Sequence, residues 1–292
     1  MNSEIHHFKV GAFECIVVSD GIHTYAPPTF PPPSTFLFGN VPGDQLEQTL
    51  RKHNIQPDHW TEWVSPYNCL LINTGKHRVL VDTGALGLDP NTGRLIQNLQ
   101  AEGIAPEDID IVIITHCHPD HISGITLDDG ELAFPNARFA MLKSEWDFWT
   151  SGEAEAKLDE TFRDALLGFV RKNLPSIQDR LDLIEHEREI LPGIQAISAP
   201  GHTPGHMALL ISSEGEQLLN IIDAVLHPIH LDQPEWCATV DFAPDQVVAT
   251  RRHILHRAAS EKSLVLAFHF PVPGLGHIVQ KGENWEWQPI VV

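Results

Sequence analysis

Six consecutive residues, His116-Cys117-His118-Pro119-Asp120-His121, constrain this chain more than any other feature. They follow residues 109–115, whose apolar run reads as a buried strand. In extended backbone, residues i and i+2 point the same way, so His116 and His118 can face one metal ion from a single stretch. Pro119 cannot donate to a ladder and breaks the strand. The turn that follows lets Asp120 and His121 face a second ion beside the first. Imidazole and carboxylate donors together suit zinc and related first-row metals. The bland alternative is a run of surface histidines, and a buried strand leading straight into the motif argues against it.

Other strands end in the same way. Residues 78–82 hold the continuous apolar run Val79-Leu80-Val81, expected of a strand buried on both faces, and close on Asp82-Thr83-Gly84. Short strands are expected over Ile194–Ser198, 207–212 and 217–222, and a last buried one over 264–268. Between or after them stand Pro200-Gly201-His202-Thr203-Pro204-Gly205-His206, Asp223 and His269. Glycine beside His202 permits close backbone approach. A carboxylate at Asp223, on a strand end, can bridge two metals. In α/β sheets functional groups gather at strand ends and in the loops that follow.

Helices are expected over 44–53, 95–101, 144–149, 160–173 and 245–259, and a further strand over 68–73 turns through 74–76 into 78–82. The mixture predicts a layered α/β architecture in one domain spanning 1–292. Residues 25–40 stand apart, with Pro27, Pro28, Pro31, Pro32 and Pro33 among Phe30, Phe36, Leu37 and Phe38. So many prolines exclude helix and central strand. An apolar loop is expected, packed as a pocket rim, against a partner subunit, or on its own domain. Trp285-Glu286-Trp287 is expected as an edge strand.

Composition narrows the function classes. Lys and Arg total 19 against 39 acidic residues, for a net charge of −20. Nucleic-acid binders carry basic faces, so nucleic acid is not an expected partner. The 18 histidines fit metal binding, since histidine is the commonest metal ligand near neutral pH. Cys15, Cys69, Cys117 and Cys237 form no CxxC pair, which leaves neither a zinc ribbon nor a disulfide framework. Residues 1–10 show no basic start followed by an apolar run, and no run approaches membrane-spanning length. The expected location is the cytoplasm, with no membrane partner.

Taken together, these motifs resemble those of the metallo-β-lactamase-fold superfamily of metallohydrolases. The matching marks are Val81-Asp82-Thr83-Gly84, Thr115 through His121, Gly201-His202, Asp223 and His269, in the family's order over most of the chain. The resemblance implies an αββα four-layer sandwich with a two-metal site at one edge. It implies that His116, His118 and His202 hold the first metal, that Asp120, His121 and His269 hold the second, and that Asp223 bridges. Asp82 would stand behind the ligands and support them. Two divalent ions are implied, zinc first, with iron, manganese or cobalt as alternatives.

Within the superfamily the chain is similar to the branch containing methyl parathion hydrolase and related lactonases. The carrying segments are Phe134-Pro135-Asn136-Ala137, Glu145-Trp146-Asp147-Phe148-Trp149, Pro200 through His206, and His269-Phe270-Pro271-Val272-Pro273-Gly274-Leu275-Gly276-His277. It is expected to depart from that branch in carrying no export signal. It also departs where lactonases place a Tyr shortly after the bridging Asp, since Ala224, Val225, Leu226 and His227 stand here.

The expected activity is hydrolysis of a small, apolar ester, lactone or phosphotriester. Two metals roughly 3.5–4 Å apart can share a water and lower its pKa towards ~7, so that a bridging hydroxide attacks the carbonyl or phosphoryl centre. Asp120 is placed to accept a proton from that water or to deliver one to the leaving group. No G-x-S-x-G motif supplies a serine nucleophile. Cys117, between two ligands, should point away from them into the core. His206 should pack or hydrogen-bond beside His202. His227, His230 and His277 are candidates to line the pocket or to donate to an oxyanion. A glyoxalase II-like thioesterase is the second reading, with Arg251, Arg252 and Arg257 on the expected C-terminal helix as its basic element. A non-catalytic metal-binding sensor on the same fold is the third, and a redox di-iron protein a fourth. The expected partners are a small-molecule substrate and a second copy of the chain in a homodimer.

Overall fold

Tight turns give antiparallel neighbours and longer crossovers give parallel ones, and each sheet of this protein uses both. The computed structural model describes residues 4–158 and 160–290, so both ends of the expected 1–292 span lie outside the described residues. One sheet runs in chain order through β1 (Ile5–Val10), β2 (Phe13–Tyr25), β3 (Trp63–Asn73), β4 (Arg78–Val81), β5 (Ile111–Ile113), β6 (Arg138–Leu142) and β7 (Leu181–Ile184). Its strands are antiparallel as far as β4 and parallel from β4 to β7. The other sheet comprises β8 (Glu189–Leu191), β9 (Ile194–Ser198), β10 (Met207–Ser213), β11 (Glu216–Asn220), β12 (Leu264–Leu266), β13 (Leu275–Lys281) and β14 (Asn284–Pro289), again in chain order from edge to edge. There β11 and β12 are parallel and the remaining pairs antiparallel.

Side-chain alternation decides the layers. On β3, Leu70 and Ile72 enter a core shared with Met207, Leu209 and Ile211 of β10, so the two sheets lie face to face. The intervening Cys69 and Leu71 enter a different core with Leu95 and Leu99 of the helix Leu95–Ala101 and Leu167, Val170 and Leu174 of the helix Glu160–Ile177. On β10 the intervening Ala208 and Leu210 pack with Ile254, Leu255 and Ala258 of the helix Pro244–Glu261. Three apolar cores thus separate four layers, helix, sheet, sheet and helix, which is the expected αββα sandwich.

Several elements differ from the sequence expectation for local reasons. The strand expected over 68–73 begins at Trp63, although Pro66 lies within it. Pro66 is tolerated because β4 pairs with residues 70–73 alone, so its missing N–H leaves no gap in that ladder. The strands expected through 115, 222 and 268 end at Ile113, Asn220 and Leu266, which frees the donors beyond them to turn. In the segment 25–40, β2 runs on to Tyr25, and Pro33–Leu37 forms a short helix. This corrects the expectation of no helix there: Pro33 occupies the first helical position, where a missing N–H costs nothing. Phe36, Leu37 and Phe38 bury with Leu50, Trp63, Leu226, Ile229 and Trp236 in a fourth apolar cluster. Trp285-Glu286-Trp287 lies in β14, an edge strand as expected. Among the described residues no helix is long and apolar enough to cross a membrane.

Candidate metal centre and its cavity

The ends of β4, β5, β11 and β12 bring the polar motifs together. After β5 the chain stays extended through His118, and Pro119–Ile122 then forms one helical turn with Pro119 at its first position. That turn carries Asp120 and His121 round beside His116. Asp223 sits in the 3-10 turn Ile222–Ala224, entered through Ile222 at φ 47°. A β-branched residue in the left-handed region is strained by about 1–3 kcal/mol, so the local backbone opposes this turn and the surrounding core enforces it. Asp82 also lies in that region, at φ 60°.

All seven expected donors converge. Asp223 Oδ2 lies 3.1 Å from His202 Nε2, 3.3 Å from His269 Nε2, and 3.5 Å from both His116 Nε2 and His121 Nε2. Asp120 Oδ2 lies 3.5 Å from His121 Nε2 and 3.6 Å from His269 Nε2. His118 turns Nδ1 to within 2.9 Å of His202 Nε2. The donor atoms fall into two groups, His116, His118, His202 and Asp223, and Asp120, His121, His269 and Asp223, each spanning no more than 4.8 Å. Donors at roughly 2.0–2.1 Å from a tetrahedral zinc would stand roughly 3.3 Å from one another, which is the spacing seen here.

Four of the imidazoles, those of His116, His121, His202 and His269, are held from behind. His121 Nδ1–H donates to Asp82 Oδ2 at 2.8 Å. Thr115 Oγ1 donates to the same carboxylate oxygen at 2.8 Å and stands 3.2 Å from His116 Nδ1, so it is free to accept that ring's N–H. His202 Nδ1–H donates to Asp241 Oδ1 at 2.8 Å, and His269 Nδ1 meets Ser65 Oγ at 2.8 Å. These partners aim the opposite nitrogens into the cluster, where each would offer a lone pair to a bound ion.

The donors fit metal ions. Among the described residues, His116 Nε2, His121 Nε2 and Asp223 Oδ1 are buried and have no hydrogen-bond partner, a costly arrangement unless an ion engages them. Burial first, then neighbouring imidazoles, holds His116 and His118 well below the usual histidine range, so both rings are neutral, the form in which imidazole binds a metal. Burial opposes ionisation of Asp223, yet His269 and His121 outweigh it and keep the carboxyl well below its usual range. Burial likewise opposes a charge on His202, but its bonds to Asp223 and Asp241 raise it to about 9. The carboxylates therefore draw positive charge into a buried site.

Glu145 ties the two donor loops together. It is fully buried; Oε1 accepts N–H bonds from Cys117 and Trp149, and Oε2 accepts from Thr203 Oγ1 and the Gly205 N–H. A Cβ on Gly205 would come within 2.1 Å of the Glu145 backbone nitrogen, which explains the glycine. Gly201, at φ 132°, turns the chain into His202. Cys117 packs in the helix-facing core, as its position between ligands implies. His206 Nδ1–H donates to Ala199 O, and Nε2 accepts the Asp223 N–H.

A cavity of about 500 Å³ opens from the donors. His118, Asp120, His202, Asp223 and His269 form its polar floor, and Tyr25, Phe30, Phe36, Trp63, Phe162 and Phe169 are prominent on its wall. The Pro-rich segment is therefore a pocket rim. His227, His230 and His277 are not on this wall, which corrects their candidacy as lining residues. His227 packs on Trp60, His230 bonds the Leu37 carbonyl from behind Phe38, and His277, an exposed residue of β13, bonds the Ser263 carbonyl. The arginines needed by a glutathione-binding reading are engaged elsewhere: Arg251 is buried against backbone carbonyls including Ala224 O, Arg252 pairs with Glu235 and Arg257 with Glu261. Sequence reasoning missed Asp241, Ser65 and the bracing role of Glu145. Glu145 carries the one local signal, an acid on the buried face of an aromatic-rich helix.

Comparison with known proteins agrees with this geometry. An N-acyl homoserine lactonase of a Bacillus species is 31% identical over 178 residues, 53% of this chain and 63% of the relative, so the chain spans less than two thirds of that relative's length. An N-acyl homoserine lactonase of Bacillus thuringiensis is 26% identical over 226 residues, 70% of this chain and 81% of the relative. Among solved structures, the dizinc quorum-quenching lactonase AidC is 26% identical with a TM-score of 0.86, over 99% of this chain and 98% of its own. The hydrolase AbOPH of the β-lactamase superfamily is 28% identical with a TM-score of 0.87, over 100% and 99%. The model of the metallo-beta-lactamase superfamily matches residues 63–268, and with that span, this fold and this donor set, the chain belongs to the metallo-beta-lactamase superfamily.

Proposed function

We propose that the protein hydrolyses a lactone, or a closely related ester, bearing an apolar substituent, with two divalent metal ions, zinc in the first place. His116, His118 and His202 would hold one ion and Asp120, His121 and His269 the other, with Asp223 between them. The observation that carries this reading is the cavity of about 500 Å³ whose floor is the donor cluster and whose wall is aromatic. Its size and lining suit a small, largely apolar ligand with one reactive polar group. The lactonase relatives and the dizinc lactonase AidC support the same bond type.

Bound in these groups, divalent ions supply Lewis acidity towards a carbonyl oxygen and make water a stronger acid. The chain does the rest. Asp120 lines the cavity and turns Oδ2 to His121 and His269. Its Oδ1 is then the atom to take a proton from the attacking water and return it to the leaving-group oxygen. Asp241, Asp82 and Ser65 fix the imidazoles against rotation. Phe30, Phe36, Phe162 and Phe169 exclude water and seat the apolar substituent.

The test is a hydrolysis panel on metal-loaded protein with a chelated control. It comprises an N-acyl homoserine lactone, an aryl ester, a methyl-parathion-type phosphotriester, a glutathione thioester and a β-lactam. Chelator-sensitive turnover of the lactone is expected, with two metals per chain by elemental analysis. Turnover confined to the thioester or the β-lactam would overturn the substrate reading. We also propose a homodimer; a monomer by light scattering at micromolar concentration would refute it.

A further inference from the structure

The chain contains two tyrosines, and they touch each other. Tyr25 on β2 and Tyr67 on β3 bring their hydroxyls to 2.9 Å. Two hydroxyls that share one hydrogen bond leave one proton over, and burial decides which. Tyr67 is 0% exposed, whereas Tyr25 is 9% exposed and lines the cavity. If Tyr25 donated, the Tyr67 proton would be stranded in the core at a cost of about 1–3 kcal/mol. Donation from Tyr67 to Tyr25 avoids that cost and leaves the Tyr25 O–H free to turn to the cavity.

The pair lies beside the donor cluster. The Tyr67 ring is 5.6 Å from that of His269, and the Trp63 ring lies 4.9 Å from Tyr25 and 5.6 Å from His269. Two further donors of the lining are engaged elsewhere: Thr239 Oγ1 bonds the Phe36 carbonyl and Lys157 Nζ bonds Glu153. The residues directly after Asp223, Ala224, Val225 and Leu226, have no donor in their side chains. Burial holds both phenols well above the ordinary tyrosine range, so both remain donors.

We propose that Tyr25 is a further catalytic residue, whose Oη–H donates a hydrogen bond to an oxygen of the substrate's ester group, and that Tyr67 is its positioning residue. The inference rests on the ester-type hydrolysis proposed above. A neutral donor fixed at the cavity edge binds more tightly as that oxygen gains negative charge, which lowers the barrier rather than merely binding substrate.

The experiment compares metal-loaded wild type, Tyr25→Phe, Tyr67→Phe and the double variant on an N-acyl homoserine lactone, with metal content and Tm measured on the same samples. Tyr25→Phe is expected to lower kcat by about 10- to 100-fold with KM within about threefold and both metals retained. Tyr67→Phe alone should lose about 3- to 10-fold, and the double variant no more than Tyr25→Phe, because Tyr67 acts through Tyr25. Losses that merely follow Tm, with the two single variants equal, would mean a structural pair and overturn the proposal. A second readout needs no variant to fold. Replacing both tyrosines by 3-fluorotyrosine gives fluorine resonances from this pair alone, and the N-acyl homoserine product should shift that of Tyr25 much more than that of Tyr67. No shift at saturating product, or wild-type kcat in Tyr25→Phe, sinks the inference alone. Absence of lactone turnover in wild type sinks the functional reading, and this inference with it.

Discussion

His202 and Phe162 face the same cavity and are held there by opposite means. His202 is 1% exposed, donates from Nδ1 to Asp241 and turns Nε2 to Asp223. Asp241 in turn accepts the Ala238 N–H, so the ring has one orientation. Phe162 is half-buried on the helix Glu160–Ile177 and stacks on Phe30 with ring centres 6.0 Å apart. Hydrogen bonds fix direction, whereas apolar contacts fix position loosely. The floor is thus built for a single geometry, and the wall can adapt to the substrate's substituent. Damage to the floor should stop the chemistry for every substrate; damage to the wall should change which substrate is preferred.

The largest expected effect is on the floor. Asp223→Ala removes the one oxygen shared by four imidazoles, and should lose metal and at least about 10³-fold in kcat/KM on all substrates. Elemental analysis and hydrolysis rates check it, and full activity would refute the assignment. Next come the residues behind the ligands. Asp82→Asn and Asp241→Asn keep the shape but set an amide N–H2 against existing donors, and each should weaken metal affinity by about 10- to 100-fold. Competition with a graded chelator measures this. An effect in one and none in the other would break the picture of a uniformly braced floor. On the wall, Phe162→Ala should raise KM for long-chain substrates by about tenfold, leave short-chain substrates nearly unchanged, and keep kcat within about threefold. A uniform fall in kcat across chain lengths would show that the wall is part of the catalytic machinery.

The same contrast explains what could be read from sequence. The donors were legible because each follows a strand end, and because three histidines and an aspartate in six residues have few other uses. Of the ring partners, Asp82 was legible from the family motif it belongs to, but Asp241 was not: it is 39 residues from His202, and nothing near either marks the bond. The wall was half legible. The prolines of 25–40 announced an apolar loop, but Phe162 and Phe169 read the same on a helix whether they face a core or a cavity. The first two strands were missed for a specific reason. Asp20-Gly21, in the middle of β2, has the composition of a turn. The structure makes it a register shift between Ser19 and Gly21, with both flanks still paired to β3.

That irregularity supplies the smallest expected effect and the finest test of the contrast. Asp20 turns away from the strand and accepts N–H bonds from Ala85 at 2.8 Å, Gly93 at 3.0 Å and Leu95 at 2.9 Å. It pins the loop that carries Leu88 to the cavity wall, so this part of the wall is held in the manner of the floor. Burial raises the Asp20 carboxyl to about 6, against the pull of those three N–H groups. A carboxyl whose pKa is raised on folding binds more protons folded than unfolded between pH ~4 and ~6. Its contribution to stability is therefore complete below pH ~4 and is lost as pH rises through ~6. Asp20→Asn removes this titration and satisfies fewer of the three N–H groups, so the variant should melt a few degrees lower, with activity within about threefold of wild type. The gap in Tm between wild type and variant should narrow as pH rises from 4 to 7. A gap that widens instead would mean that Asp20 is held as a charged group with a depressed pKa, as Asp223 is, and that the carboxylates of wall and floor differ less than their surroundings imply.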